Sequence, residues 1–147
     1  MNTPLTVKLR RIDKTLPLPT YHTPGATCFD LTARVDTTID PHAFGRIPLN
    51  VAIAPPKDHW VLLAVRSSTH KTGLIPANGL GIMDEDFAGD NDEYQLLVFN
   101  TTDKPVTVER GTRIAQATVL PKISPVIEEV EHLEQADRGG VGSTGER

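Results

Sequence analysis

The sequence predicts an all-β domain of sandwich or barrel type, and three observations carry that reading. Short apolar segments recur along the chain, most with the two-residue alternation of a half-buried strand. Proline- and glycine-containing turns separate them. No segment sustains helical periodicity beyond a turn or two, and there are no internal repeats or heptads.

The first strand is expected around Leu5, Val7 and Leu9, where polar residues intervene between apolar ones. Pro17, Pro19 and Pro24 then impose an extended connection leading to Gly25-Ala-Thr-Cys-Phe-Asp-Leu31. Asp30 among apolar neighbours is either a strand-end carboxylate bonded to nearby backbone or a member of a site. Asp40-Pro41 marks a turn, and Ile47, Leu49, Val51 and Ile53 alternate in what reads as one strand from Arg46 to Ile53. Trp60 to Val65 is a continuous apolar run, expected as a strand buried on both faces with Trp60 in the core. It surfaces into Arg66-Ser67-Ser68, with the N-cap signal of a short helical turn through Lys71. A guanidinium and two hydroxyls at such a place suit an anion, or an ordinary capped turn.

From Leu74 to Asp90 the chain is expected to form a hairpin centred on Asn78-Gly-Leu-Gly-Ile-Met-Asp-Glu-Asp-Phe-Ala-Gly89. Gly79 and Gly81 permit a tight turn and close approach of a ligand to the main chain. In an extended segment Asp84 and Asp86 would share a face, leaving Glu85 on the other. Further strands are expected over Tyr94 to Asn100, at Val106 and Val108, over Thr112 to Leu120 and over Val126 to Val130. Within the third of these, Arg113 and Gln116 interrupt the apolar residues: Gln116 is a candidate polar contact, or both are solvated residues of an edge strand. Beyond His132 no core-forming pattern remains. The Arg138-Gly-Gly-Val-Gly-Ser-Thr-Gly145 stretch has the glycines, hydroxyls and cation suited to wrapping phosphates, although a disordered tail has the same composition.

Composition narrows the functional classes. The 147 residues suit one domain, and 38% hydrophobic with 23% charged residues is globular. A net charge of -4 disfavours a general nucleic-acid binder while leaving room for a small anionic ligand. Cys28 is the sole cysteine, expected as a small core residue, so no intrachain disulfide forms. No apolar run of signal-peptide or membrane-spanning character is present, and a soluble cytoplasmic protein without membrane partners is expected. His22, His42, His59, His70 and His132 lack metal-ligand spacing, and no serine-elbow or P-loop pattern occurs.

Five patches in order resemble the trimeric dUTPases: Gly25-Ala-x-x-x-Asp-Leu31, Arg66-Ser-Ser68, Gly81-x-x-Asp-x-Asp-Phe-x-Gly89, Gly111-x-Arg-Ile-Ala-Gln116 and Gly140-x-Gly-Ser-Thr-Gly145. The resemblance spans nearly the whole chain. It implies a jelly-roll-like β domain over residues 1–135 and a flexible glycine-rich tail, 136–147, closing the active site of a homotrimer. The implied reaction is hydrolysis of dUTP to dUMP and pyrophosphate, with Asp84 orienting the attacking water. Mg²⁺ would ride on the phosphates and touch Asp30 through water. Arg66, Ser67, Ser68 and Gln116 fall on phosphate-contacting positions, joined by Arg138, Ser143 and Thr144 of the tail. Asn78 and the backbone near Ile82 and Met83 would read uracil, and Phe87 would lie under the deoxyribose. Val141 stands where that family's tail usually has an aromatic, so a less firmly closed tail is expected. Two other functions fit parts of the pattern: a deoxycytidine-triphosphate deaminase, which needs a base-shuttling glutamate, and a dUTP-gated regulatory protein with weak or no hydrolysis.

Overall fold

The computed structural model describes residues 4–140, so Val141, Ser143 and Thr144 lie outside the described residues. Among the described residues, eleven strands form four antiparallel sheets. The largest contains β2 (Phe29–Thr32), β11 (Arg113–Pro121), β6 (His59–Val65) and β8 (Gly81–Met83), in that spatial order. A three-stranded sheet orders β4 (Phe44–Pro48), β9 (Gln95–Asn100) and β7 (Leu74–Pro76). Two ribbons complete the fold, pairing β1 (Lys8–Arg11) with β5 (Val51–Ala54) and β3 (Thr37–Ile39) with β10 (Val106–Val108).

The core follows from the two-residue period. Phe29 and Leu31 of β2, Val61 and Leu63 of β6, Leu96 and Val98 of β9, and Ala115 and Ala117 of β11 all point inward and are buried together. Their alternating neighbours face the other way. In the large sheet this places Asp30, Gln116 and Ala64 in register on one outer face, since Gln116 opposes Asp30 on one side and Ala64 on the other.

The sequence expectations need correction on five points, one of them shared by Trp60 and Cys28. The alternation from Arg46 to Ile53 is two strands in different sheets, because Asn50 adopts the left-handed conformation at φ 67°. Asparagine tolerates that region, and its buried amide accepts from Asp13 N at 2.6 Å and donates to Asp13 O at 3.0 Å. The segment from Leu74 to Asp90 is not a hairpin: β7 pairs with β9 and β8 with β6, so residues 77–80 cross between sheets. Gly81 makes that crossing close, as a Cβ there would sit 2.9 Å from Leu63 Cβ. Ser68 precedes a 3-10 turn, Thr69–Thr72, but its hydroxyl forms no cap. Trp60 is half-buried rather than in the core, donating from Nε1 to Pro121 O at 3.2 Å, and Cys28 is also only half-buried.

The fifth correction concerns Val126 to Val130, which is not a strand. Among the described residues, 122–140 contain no regular element, and Val126 and Ile127 are each 94% exposed. A strand needs an edge to pair with as well as alternation, and this segment pairs with none on its own chain.

The fold's acid sensitivity can be traced to Asp13, whose carboxylate accepts from Arg110 Nη2 at 2.8 Å and from Thr15 N and Oγ1 at 2.8 and 2.6 Å. These donors, the Arg110 guanidinium foremost, hold its pKa well below the usual carboxylate range. A carboxylate depressed in the folded state contributes fully above its unfolded pKa, about 4, and loses that contribution as pH falls through the folded value. The melting-temperature gap between wild type and Asp13→Asn is therefore expected to narrow from pH 6 to pH 3. An unchanged gap would show that charge at Asp13 plays no part.

Candidate active site

Two groups of side chains stand out, and the large sheet holds both. The first is centred on Asp30 at the β2 edge. One carboxylate oxygen, Oδ2, lies 3.2 Å from Arg66 Nε and 3.2 Å from Arg113 Nη1, with His22 Nε2 at 3.4 Å. Arg113 also donates to His22 Nε2 at 2.6 Å. The Arg66 guanidinium is fixed a second time, through Nη1 to Arg113 O at 3.2 Å. Asp30 therefore bonds to side chains rather than to nearby backbone. Its negative charge lets two guanidiniums stand side by side, with further N–H donors left over for an anion.

Around this cluster, Gln116 is half-buried on the central strand β11 rather than on an edge, and its Nε2 donates to Val65 O at 2.9 Å. Ser67 and Ser68 are exposed beside Arg66. The turn after them is shaped by backbone, with Thr69 N donating to Arg66 O at 3.0 Å, and by Thr69 Oγ1 donating to Ile114 O at 3.2 Å. Arg138 is exposed and makes no ion pair among the described residues. His22 and Arg113 were not singled out as site residues from sequence. Arg113 sits within the Gly-x-Arg-Ile-Ala-Gln stretch and could have been, whereas nothing near His22 marks it.

The second group lines a cavity of about 230 Å³ between β8 and β9, where Asn78, Gly79, Ile82, Met83 and Phe87 meet Leu96. Four of the five residues expected around the base and sugar are thus brought together, and the fifth, Val141, lies outside the described residues. The cavity is small and mostly apolar with a few polar groups, the character of a site for a compact flat ligand. Glu93 also lines it, locked by Arg34 through a two-pronged pair at 2.7 and 3.0 Å and by Asn50 N at 2.9 Å.

Asp84 follows Met83 at the end of β8 and is exposed, between the cavity-lining Met83 and Phe87 in the chain. The segment is a turn, closed by Phe87 N donating to Asp84 O at 3.1 Å, and not the extended stretch expected. Glu85 is held away from the cavity: Asp58 N donates to its Oε1 at 3.0 Å, and Lys122 Nζ contacts Oε2. Lys122 and the Asp58 amide together lower the Glu85 pKa. Asp84 and Asp86, by contrast, are exposed on either side of it.

A β domain with a guanidinium cluster and a small, mostly apolar cavity beside an exposed acidic turn is a nucleotide-handling protein in outline. The chain belongs to the dUTPase family, whose sequence profile matches residues 14–145. It is 39% identical to the deoxyuridine 5'-triphosphate nucleotidohydrolase of Dictyoglomus turgidum over 148 residues, covering 95% of this chain and 97% of that one. To the nucleotidohydrolase of the same name from Shewanella sp. it is 35% identical, covering 99% of both. The crystal structure of dUTPase from Streptococcus mutans superposes with a TM-score of 0.73 at 26% identity, over 82% of this chain and 98% of that one. The fold is also that of the Staphylococcus bacteriophage 80alpha dUTPase solved with dUPNHPP, at a TM-score of 0.81, 20% identity and 95% and 98% coverage. Among the described residues no helix is long and apolar enough to cross a membrane.

Proposed function

We propose that this chain hydrolyses dUTP to dUMP and pyrophosphate, with Asp84 holding the attacking water in line with the α-phosphorus. The observation that carries this reading is the cavity that gathers Asn78, Ile82, Met83 and Phe87, with Asp84 exposed at the start of the turn from Met83 to Phe87. Asn78 and the main chain at Ile82 and Met83 read the uracil edge, with no room for a 5-methyl group. Phe87 packs under the deoxyribose and leaves a 2′-hydroxyl neither space nor partner. The water's oxygen bonds to the α-phosphorus, its proton passing to the Asp84 carboxylate, while the bond to the bridging oxygen breaks and pyrophosphate leaves. Holding water and phosphate in alignment removes much of the entropic barrier.

Arg66, Ser67, Ser68 and Gln116 hold the phosphates, and residues 136–147 act as a tail that adds Arg138, Ser143 and Thr144 and lays Val141 over the base. The charged donors stabilise negative charge developing on the phosphoryl oxygens. Arg66 directly follows Val65, which lines the cavity, so the phosphate cluster and the cavity adjoin on the large sheet. The family resemblance brings a homotrimer whose active sites are shared between copies. Nucleic acid and membranes are not partners in this reading, and the single cysteine suits a cytoplasmic location.

The family resemblance brings Mg²⁺ as cofactor, and the Asp30 environment fits it. Mg²⁺ keeps most of its waters and binds chiefly through substrate phosphates. One carboxylate beside phosphate-holding arginines can meet those waters through Oδ1, since the ion pairs and hydrogen bonds of Asp30 run to Oδ2. When bound, the ion would neutralise charge on the triphosphate.

The test is pyrophosphate release from dUTP, dCTP, dTTP and UTP with Mg²⁺, using the full chain and one truncated after Asp137. Release from dUTP alone, sharply reduced on truncation, is expected. Tight dUTP binding without release would replace this reading with that of a nucleotide-gated regulator, and release from dCTP would reopen the base assignment.

A further inference from the structure

Tyr94 immediately precedes β9 and is completely buried, yet its hydroxyl has no hydrogen-bond partner among the described residues. Burial pushes the phenol's pKa up. A sealed, unsatisfied hydroxyl is unfavourable, and phenylalanine would fill the same space without it. The useful part of Tyr94 is therefore its ring, and that ring stacks on Phe87 with centroids 6.0 Å apart and planes at 23°.

The two rings differ in how firmly they are held. Tyr94 is fixed by its backbone, donating from N to Val51 O at 2.8 Å and accepting from Leu49 N at 2.9 Å, at the junction between β4 and β5. Phe87 sits on the turn after β8 and is 36% exposed. The loop between them is folded back so that they meet. Gly89 N donates to Asp92 Oδ2 at 2.8 Å, Asp92 N to Gly89 O at 3.1 Å, and Arg10 Nη1 to Asp90 O at 3.0 Å. A ring on a turn can swing aside for an extra hydroxyl unless something rigid backs it.

We propose that Tyr94 is a specificity-determining positioning residue: it backs Phe87 and thereby keeps ribonucleotides out, although it touches no part of the substrate. This rests on the placement of Phe87 under the deoxyribose proposed above.

The experiment measures kcat/KM for dUTP and UTP in wild type, Tyr94→Leu, Tyr94→Phe and Phe87→Ala, with melting temperatures alongside. Tyr94→Leu removes the backing ring and is expected to raise the UTP-to-dUTP ratio about 2–12-fold, the range set by an aromatic pair's contribution. Tyr94→Phe keeps the ring, and is expected to leave the ratio unchanged while raising the melting temperature. Phe87→Ala is expected to raise the ratio at least as much as Tyr94→Leu. An unchanged ratio in Tyr94→Leu, with a raised one in Phe87→Ala, overturns the role of Tyr94 and leaves the sugar contact standing. An unchanged ratio in Phe87→Ala removes the sugar contact itself. A raised ratio in Tyr94→Phe would assign the effect to the hydroxyl and also overturn the proposal. If Tyr94→Leu shows no cooperative melting, Tyr94→Met, whose flexible side chain refills the volume without a plane, takes its place with the same expected ratio.

Discussion

Asp84→Asn is expected to lower the rate of dUTP hydrolysis by about 10²–10⁴-fold, the usual contribution of a positioned acid–base group, while leaving dUTP affinity within a few-fold of wild type. The carboxylate is exposed, directly after the cavity-lining Met83 and at the start of the turn that ends in Phe87. Glu85 beside it is tied to Asp58 N and Lys122, so it is not free to substitute. Asparagine preserves the size of the side chain and the turn, but replaces one acceptor oxygen by an NH₂ donor and removes the charge. It can no longer hold a water with its lone pair aimed at phosphorus. Single-turnover rates and equilibrium binding of a non-hydrolysable dUTP analogue separate the outcomes. Equal loss of binding and turnover would make Asp84 a structural residue of the turn, and an intact rate would move the water-positioning role elsewhere, with Asp86 the next residue to test.

The second large effect is expected at Arg66. Arg66→Lys keeps the positive charge but loses the planar fork that reaches Asp30 through Nε and Arg113 O through Nη1. A lysine ammonium has one nitrogen to serve both partners and the phosphates. The expected result is a fall of about 10²–10³-fold in kcat/KM for dUTP, comparable with removal of a single transition-state donor. The melting temperature should shift by a few degrees at most, because Arg66 is partly exposed and its ion pair is screened. A drop in kcat/KM that appears entirely in KM would show that Arg66 binds ground state and transition state alike. Full activity would remove Arg66 from the phosphate site and leave the pairing with Asp30 as its only role.

Both residues were visible as site candidates before any fold was known, and the reason is chemical. Arg66-Ser67-Ser68 interrupts a run of apolar residues, and Asp84-Glu85-Asp86 interrupts a glycine-rich one, so each stands against its background. Asp30 was visible in the same way between Phe29 and Leu31, but its partners were not. Arg113 lies 83 residues further along and His22 belongs to an unremarkable stretch. The contact exists because β2 and β11 are neighbours, and neighbourhood in a sheet leaves no local pattern.

The sequence by itself determined that this is an all-β chain and where most strands run, because a sheet with one face in the core writes a two-residue period directly into the residue order. It also marked out Asn78, Ile82, Met83 and Phe87, which the fold gathers around one cavity. Only the tertiary structure decided which strands pair. It split the alternation of residues 46–53 at Asn50, where a left-handed residue turns β4 and β5 into separate sheets. It carried residues 77–80 from one sheet to another instead of folding them into a hairpin, and left Val126–Val130 without an edge. It brought Tyr94 behind Phe87 through a loop whose bonds are made by Asp92 and Arg10. Periodicity is a property of neighbours along the chain, whereas pairing, neutralisation and stacking join residues whose only relation is the space they share.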